Sequence, residues 1–64
     1  MKTIYIIKFT NPTSPAPTYK SGYFTDRKSL EEYLESINYV YDLPNKYHFK
    51  TDNRYCAHVL EFYN

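Results

Sequence analysis

The sequence has few of the residues with which very small proteins reinforce a fold: one cysteine, one glycine and no tryptophan. Because Cys56 is alone, the chain cannot form an internal disulfide, and a lone cysteine is typical of proteins in a reducing cytosol. The apolar run 4–7 is too short for the core of a signal peptide or for a membrane span. We therefore expect a cytoplasmic protein without membrane association.

Catalytic motifs are also absent. The single glycine, Gly22, excludes a glycine-rich phosphate loop, and the sequence contains neither a serine-elbow motif nor a suggestive pair of carboxylates. Cys56 and His58 form the one combination of nucleophile and base, but such a pair also needs an orienting group and a cleft. We expect that this chain is not an enzyme.

Neither sign of charge is in clear excess. Eight Lys and Arg residues face seven Asp and Glu residues, which gives a formal net charge of +1. This balance excludes a nucleic-acid binder driven by bulk positive charge, and it excludes an acidic mimic of DNA. Local patches of either sign remain compatible with it.

Aromatic side chains, in contrast, are abundant: nine tyrosines and four phenylalanines occur in 64 residues. A domain of this size buries only about 60% of the surface that its unfolded chain exposes, so not all of these rings can be hidden. A tyrosine combines an apolar ring with a polar tip, which suits the edge of a core or a wet interface. The rings therefore indicate a binding face, a crowded small core, or both.

The pattern of residues predicts a single α+β domain over 1–64: a small antiparallel sheet in the order β-β-α-β-β, with one helix on one face. Strands are predicted at 3–9 and 19–24, where β-branched and aromatic residues concentrate, and the proline-rich stretch 10–18 is predicted to be a stiff loop. A closing hairpin is predicted from 47–50 and 54–63, with 51–53 as its turn. The segment 39–46 is predicted to cross between elements, with a short extended piece at 39–41.

The helix is predicted at 25–37. Thr25 or Asp26 can cap it, and an apolar stripe recurs at helical spacing. Asn38 is a suitable left-handed terminator. Since one helix covers only one face of a sheet, we expect the opposite face to be uncovered and partly apolar.

Three metal-ligand side chains lie close together in the sequence: His48, Cys56 and His58. These are ligands that Zn²⁺ prefers, and a zinc ion would stabilise so small a domain. A three-residue turn would place His48 directly across from Cys56, whereas a four-residue turn would place it on the other face. The alternative is a small buried thiol beside an ordinary imidazole.

The same hairpin interleaves cations with rings, which is how single-stranded nucleic acid is often bound. The residues concerned are Lys46, Tyr47, His48, Phe49, Lys50, Arg54 and Tyr55. Cross-strand ring pairing, with lysines that deter edge-to-edge aggregation, explains the same pattern. Direct nucleic-acid binding is therefore an alternative function.

Protein binding best explains a small domain that is rich in tyrosine and lacks catalytic motifs. Tyrosine is enriched at interface hot spots, and the glutamates of the helix, Glu31, Glu32 and Glu35, could meet a basic partner. The candidate partner-binding residues are Tyr39, Tyr41, Tyr47, Lys50, Arg54, Tyr55 and Tyr63. An uncovered face or an open edge could also be buried in a homodimer.

The layout resembles a class of small accessory proteins of phages and mobile elements from Gram-positive bacteria. The resemblance is carried by the opening strand at 1–9, by Gly22-Tyr23-Phe24-Thr25 leading into Leu30-Glu31-Glu32-Tyr33-Leu34-Glu35, and by the tyrosine-rich final hairpin. Some members of this class are anti-CRISPR proteins, which bind a CRISPR effector and block its access to guide or target. The resemblance implies a stoichiometric inhibitor of a larger protein in a bacterial host cell.

Overall fold

The computed structural model describes residues 2–63 as one antiparallel sheet with one helix. The strands are β1 (Thr3–Asn11), β2 (Ser14–Tyr19), β3 (Tyr39–Leu43), β4 (Lys46–Phe49) and β5 (Asp52–Tyr63), and the helix is α1 (Arg27–Ser36). Their order across the sheet is β2-β1-β5-β4-β3. The predicted α+β class is confirmed. The predicted order β-β-α-β-β is wrong, because β3 adds a fifth strand.

The extended piece predicted at 39–41 is the first part of β3, but it was not recognised as a strand of the sheet because the turn after it was missed. Leu43 pairs with Lys46, so Pro44 and Asn45 form a tight connection between β3 and β4, and Asn45 has a left-handed φ of 62°. An asparagine tolerates this conformation at low cost. The segment predicted to cross between elements is therefore one arm of a hairpin.

The second strand also differs from the prediction. It occupies Ser14–Tyr19, almost entirely within the stretch 10–18 that was predicted as a loop, and it contains Pro15 and Pro17. Because β2 lies at the sheet edge, two prolines at alternating positions can direct their missing N–H groups away from β1. Of the predicted strand 19–24, Tyr19 ends β2 opposite Lys8. Further along, Phe24 returns to the sheet as an isolated bridge, where it exchanges backbone hydrogen bonds of 2.8 and 2.9 Å with Tyr5.

The helix forms where it was predicted but is shorter. Asp26 caps it, accepting hydrogen bonds from the backbone N–H of Ser29 at 2.9 Å and from its hydroxyl at 3.1 Å. Asn38 ends it with a left-handed φ of 68°, as predicted. Among residues 2–63 no helix has the length and apolar character needed to cross a membrane.

The core lies between α1 and one face of the sheet. Leu30 and Leu34 are fully buried against Ile7, Ala57 and Val59. Side chains alternate between the faces of a strand, so the neighbouring residues of β1 and β5 point to the other face. That face carries Ile4 opposite Phe62 and Ile6 opposite Leu60. It has no helix over it in residues 2–63 and is partly apolar, as expected.

The sheet curls around the helix. The rings of Phe9 on β1 and Tyr39 on β3 are 5.5 Å apart between centroids, although β5 and β4 lie between their strands. Adjacent strands are about 4.8 Å apart, so a flat sheet would keep these rings well separated. The curl collects aromatic rings on the helix side and brings β3 close to α1.

Candidate protein-binding site

A groove runs between α1 and the edge strand β3. It has a volume of about 720 Å³ and is lined by Glu31, Glu35, Asn38, Tyr39, Val40, Tyr41, Tyr47 and Lys50. Four of these residues, Tyr39, Tyr41, Tyr47 and Lys50, belong to the set predicted to bind a partner. The structure therefore brings together more than half of that set.

Local geometry explains how the groove forms. The turn at Asn38 leads directly from the helix into β3, and the Lys50 N–H donates to the Asn38 carbonyl at 2.8 Å. From there Tyr39 pairs with Phe49 and Tyr41 with Tyr47, so both β3 tyrosines lie on the helix side of the sheet. Glu31 and Glu35 are one helical turn apart and form the facing wall.

The tyrosines of the groove differ in exposure. Tyr47 is only 5% exposed and belongs to the core, whereas Tyr41 is 61% exposed. Their rings meet edge to face with centroids 5.8 Å apart. Tyr47 thus forms the floor of the groove, and Tyr41 is its exposed ring.

The environment of Tyr47 defines the electrostatics of the floor. Burial raises the pKa of its phenol, Glu31 raises it further, and Arg27 partly opposes both. Arg27 is itself held by the side chains of Asn45 at 2.9 Å and Glu61 at 3.3 Å. The phenol therefore stays neutral near the acidic wall and can act as a hydrogen-bond donor.

Tyr39 links the groove to a second hollow at the β4–β5 turn, lined by Tyr39, Phe49, Thr51, Asp52 and Tyr55. Burial raises the pKa of Tyr39, with smaller contributions from Cys56, Tyr33 and Tyr55. Tyr55 packs on Phe49 with ring centroids 6.4 Å apart. Tyr55 is therefore a neighbour of the groove rather than part of its lining.

The two other predicted residues lie elsewhere. Arg54 is paired with Asp52 by side-chain hydrogen bonds of 3.0 and 2.9 Å, and these bonds lower the pKa of the Asp52 carboxyl. Tyr63 lies at the far end of β5, where its hydroxyl donates to Glu61 at 2.7 Å. This hydrogen bond raises the pKa of Tyr63.

The predicted zinc ligands share the uncovered face of the sheet. His48 lies directly across from Cys56, and His58 is two residues further along β5. The three-residue turn is not what produces this register, because Phe49 pairs with Asp52 through an irregularity. The His48 ring Nδ1 lies 3.0 Å from the Phe49 carbonyl, and the Cys56 thiol donates to the Asn53 carbonyl at 3.4 Å.

These contacts do not assemble a metal site. His58 pairs with Lys8 on one side and Lys46 on the other. Its pKa is lowered by burial and then by these two lysines, and the same positive field disfavours a cation. Throughout residues 2–63 no three His, Cys, Asp or Glu side chains are grouped to hold a metal ion.

One feature of the site had no signal in the sequence: the anchor at Arg27, whose guanidinium also lies 5.5 Å from the centroid of the Tyr5 ring. A cation in the first turn of the predicted helix 25–37 does not indicate a contact with a residue 34 positions away. The acidic wall was expected in part, since Glu31, Glu32 and Glu35 were predicted to be able to meet a basic partner, and Glu31 and Glu35 line the groove.

Comparisons with protein-family models, with curated proteins and with solved structures found no match to this chain. The geometry of the groove is therefore the basis on which a function can be assigned.

Proposed function

We propose that this chain is a small protein-binding domain that acts by covering a surface of a larger protein with its α1–β3 groove. The observation that supports this most directly is the placement of the exposed Tyr41 ring on an edge strand, opposite Glu31 and Glu35. A large, rigid ring beside charged groups is the composition of an interface hot spot. Binding alone accounts for these features, without a catalytic step.

The resemblance described above suggests the class of partner. We propose a nucleic-acid-handling protein of a bacterial cell, such as a CRISPR effector, with inhibition by stoichiometric obstruction. A net charge of +1 disfavours imitation of a phosphate backbone, so contact with a protein lobe is the mechanism that fits.

A pair of matched variants tests the assignment of the site. Tyr41 is 61% exposed and Tyr23, in the loop before α1, is 62% exposed. A pull-down from a Gram-positive host should recover one large protein with the unmodified chain and with Tyr23→Ala. Tyr41→Ala should weaken its binding about 30-fold or more, because hot-spot truncations cost about 2 kcal/mol or more. Equal loss from both variants, or loss from Tyr23→Ala alone, would place the site elsewhere.

The uncovered sheet face supports a second candidate function, nucleic-acid binding. Lys8, His58 and Lys46 lie in one row across three neighbouring strands, and Tyr19 extends the row opposite Lys8. Cations beside an exposed ring can track a phosphate backbone. However, Lys46 lies 3.7 Å from Asp42 and Arg54 is bound to Asp52, which reduces the free positive charge. Salt-sensitive binding of a single-stranded oligonucleotide, lost in Lys8→Glu, would favour this candidate.

A further inference from the structure

The two edges of the sheet are protected very differently. β2 forms one edge, and its Pro15 and Pro17 cannot donate hydrogen bonds to an added strand. β3 forms the other edge and has the sequence Tyr-Val-Tyr-Asp-Leu, without proline or lysine. Proteins usually block a free edge. β3 lacks the proline block of β2, although its short length, Asp42 and a register shift after Tyr41 protect its end, so the stretch from Tyr39 to Tyr41 is the more accessible template for pairing.

The backbone of β3 presents its polar groups outward at the groove. Since the Lys50 N–H donates to the Asn38 carbonyl, this carbonyl points toward β4, while the Asn38 N–H donates to the Glu35 carbonyl at the end of the helix. Hydrogen-bonded and non-bonded positions alternate along an antiparallel pair. The N–H and C=O groups of Tyr39 and Tyr41 therefore point away from β4. The register shift between Tyr41 and Leu43 limits the regular edge to a few residues.

The two sides of this edge differ in chemistry. On the helix side, Glu31 and Glu35 stand beside the β3 tyrosines and outnumber the single cation that residues 2–63 contribute to the groove lining, Lys50. On the other side, Val40 is 38% exposed and Leu43 is 55% exposed. An added strand would thus meet carboxylates with one set of alternate side chains and apolar groups with the other set.

We propose that the groove receives an extended segment of the partner protein, which pairs with β3 as a sixth strand and carries Lys or Arg at alternate positions toward α1. This inference rests on the proposed protein-binding function and specifies its mode. Main-chain hydrogen bonds would hold the segment, and the acidic wall would select its charge.

The charges also argue against a second copy of this chain as the occupant. If two β3 strands paired around a twofold axis, the Glu31 and Glu35 walls of both copies would lie beside the same pair of strands. Like charges opposed at an interface are unfavourable. A basic segment of a different protein can form hydrogen bonds with the same β3 edge without this repulsion.

The test uses the ¹⁵N-labelled full chain and the peptide acetyl-Lys-Val-Lys-Val-Lys-amide. We expect saturable chemical-shift changes concentrated at Tyr39–Leu43. An N-methylated peptide keeps the side chains but cannot donate backbone hydrogen bonds, and it should bind about tenfold more weakly or not at all. The double variant Glu31→Lys, Glu35→Lys should bind the unmodified peptide about tenfold more weakly than the unmodified chain does. A peptide with Glu in place of Lys should not bind.

Several results would overturn the proposal. If the N-methylated peptide bound as tightly as the unmodified one, the groove would bind side chains without adding a strand. If the Glu peptide bound as tightly as the Lys peptide, the groove would not select for cations. Shifts on the uncovered face, or no shifts, would remove β3 as the site. Dimerisation of the free chain through β3, seen by sedimentation, would make a second copy the occupant. The proposed function fails by a separate result, namely partner binding that is unaffected by Tyr41→Ala.

Discussion

Substitutions at Tyr47 test whether this residue stabilises the fold through its buried ring or through its hydroxyl. Its ring is 5% exposed beneath the groove, while its hydroxyl lies in the fields of Glu31 and Arg27. Tyr47→Ala removes the ring and leaves a cavity in the core. Tyr47→Phe removes only the hydroxyl and leaves the packing intact.

The two changes should differ severalfold in free energy. Truncation of a buried aromatic side chain costs about 3–5 kcal/mol, whereas loss of one polar interaction costs about 0.5–1.5 kcal/mol. A domain of this length is stable by only about 3–10 kcal/mol. Tyr47→Ala therefore removes a large part of the total free energy of unfolding, and Tyr47→Phe removes a small part.

Urea unfolding monitored by circular dichroism measures both values, with Tyr41→Ala as the control from the same groove. Tyr41 is mostly exposed, and its edge-to-face contact with Tyr47 is worth about 0.5–1.5 kcal/mol. We expect Tyr41→Ala and Tyr47→Phe to lower the free energy of unfolding by similar small amounts. In thermal melts each would lower Tm by about 4–8 °C per kcal/mol.

If Tyr47→Ala lowered the free energy of unfolding no more than Tyr41→Ala, Tyr47 would not be part of the core. A cost for Tyr47→Phe close to that of Tyr47→Ala would place the stabilisation in the hydroxyl rather than in the ring. Either result would mean that Tyr47 does not support the groove through a buried ring in the way that distinguishes it from the exposed Tyr41.

Two further predictions concern the helix and the uncovered face. Asp26→Ala should lower the free energy of unfolding by about 1 kcal/mol, because the Ser29 N–H loses its acceptor; Asp26→Asn should restore most of it, and equal loss in both variants would contradict a capping role. The pKa of His58 is lowered from 6.5 by burial and then by Lys8 and Lys46, so as pH falls below 6.5 the unfolded chain binds a proton first. Stability should therefore decrease from pH 6.5 down through the lower folded-state pKa. Melting curves across this range should show a smaller decrease in His58→Gln, and an unchanged decrease would contradict the role of His58.

The sequence was informative where its pattern was local. The alternating residues of β1, the cap at Asp26 and the left-handed terminator at Asn38 all lie where they were predicted. The proline-rich segment was predicted wrongly because proline excludes a central strand but not an edge, and edge position depends on the whole sheet order. The turn at Asn45 was missed for a related reason, since a two-residue connection is recognisable only when both flanking strands are known.

The groove required tertiary information of another kind. Tyr39, Tyr41, Tyr47 and Lys50 were expected to act together from their positions in the sequence, but neither their common site nor the facing wall of α1 follows from that pattern. The curl of the sheet brings β3 to the helix, and the fully buried Ala57 lies in the cross-strand row between Phe9 and Tyr47. Sequence periodicity contains no information on the curvature of a sheet.

Amide hydrogen exchange on the complex with the recovered partner distinguishes binding through the α1–β3 groove from binding through the uncovered face. Binding through the α1–β3 groove predicts slower exchange at the outward-facing amides of Tyr39 and Tyr41, with little change at the β2 edge or at Ile4 and Leu60 on the uncovered face. Unchanged exchange at Tyr39 and Tyr41, together with protection on the uncovered face, would contradict it.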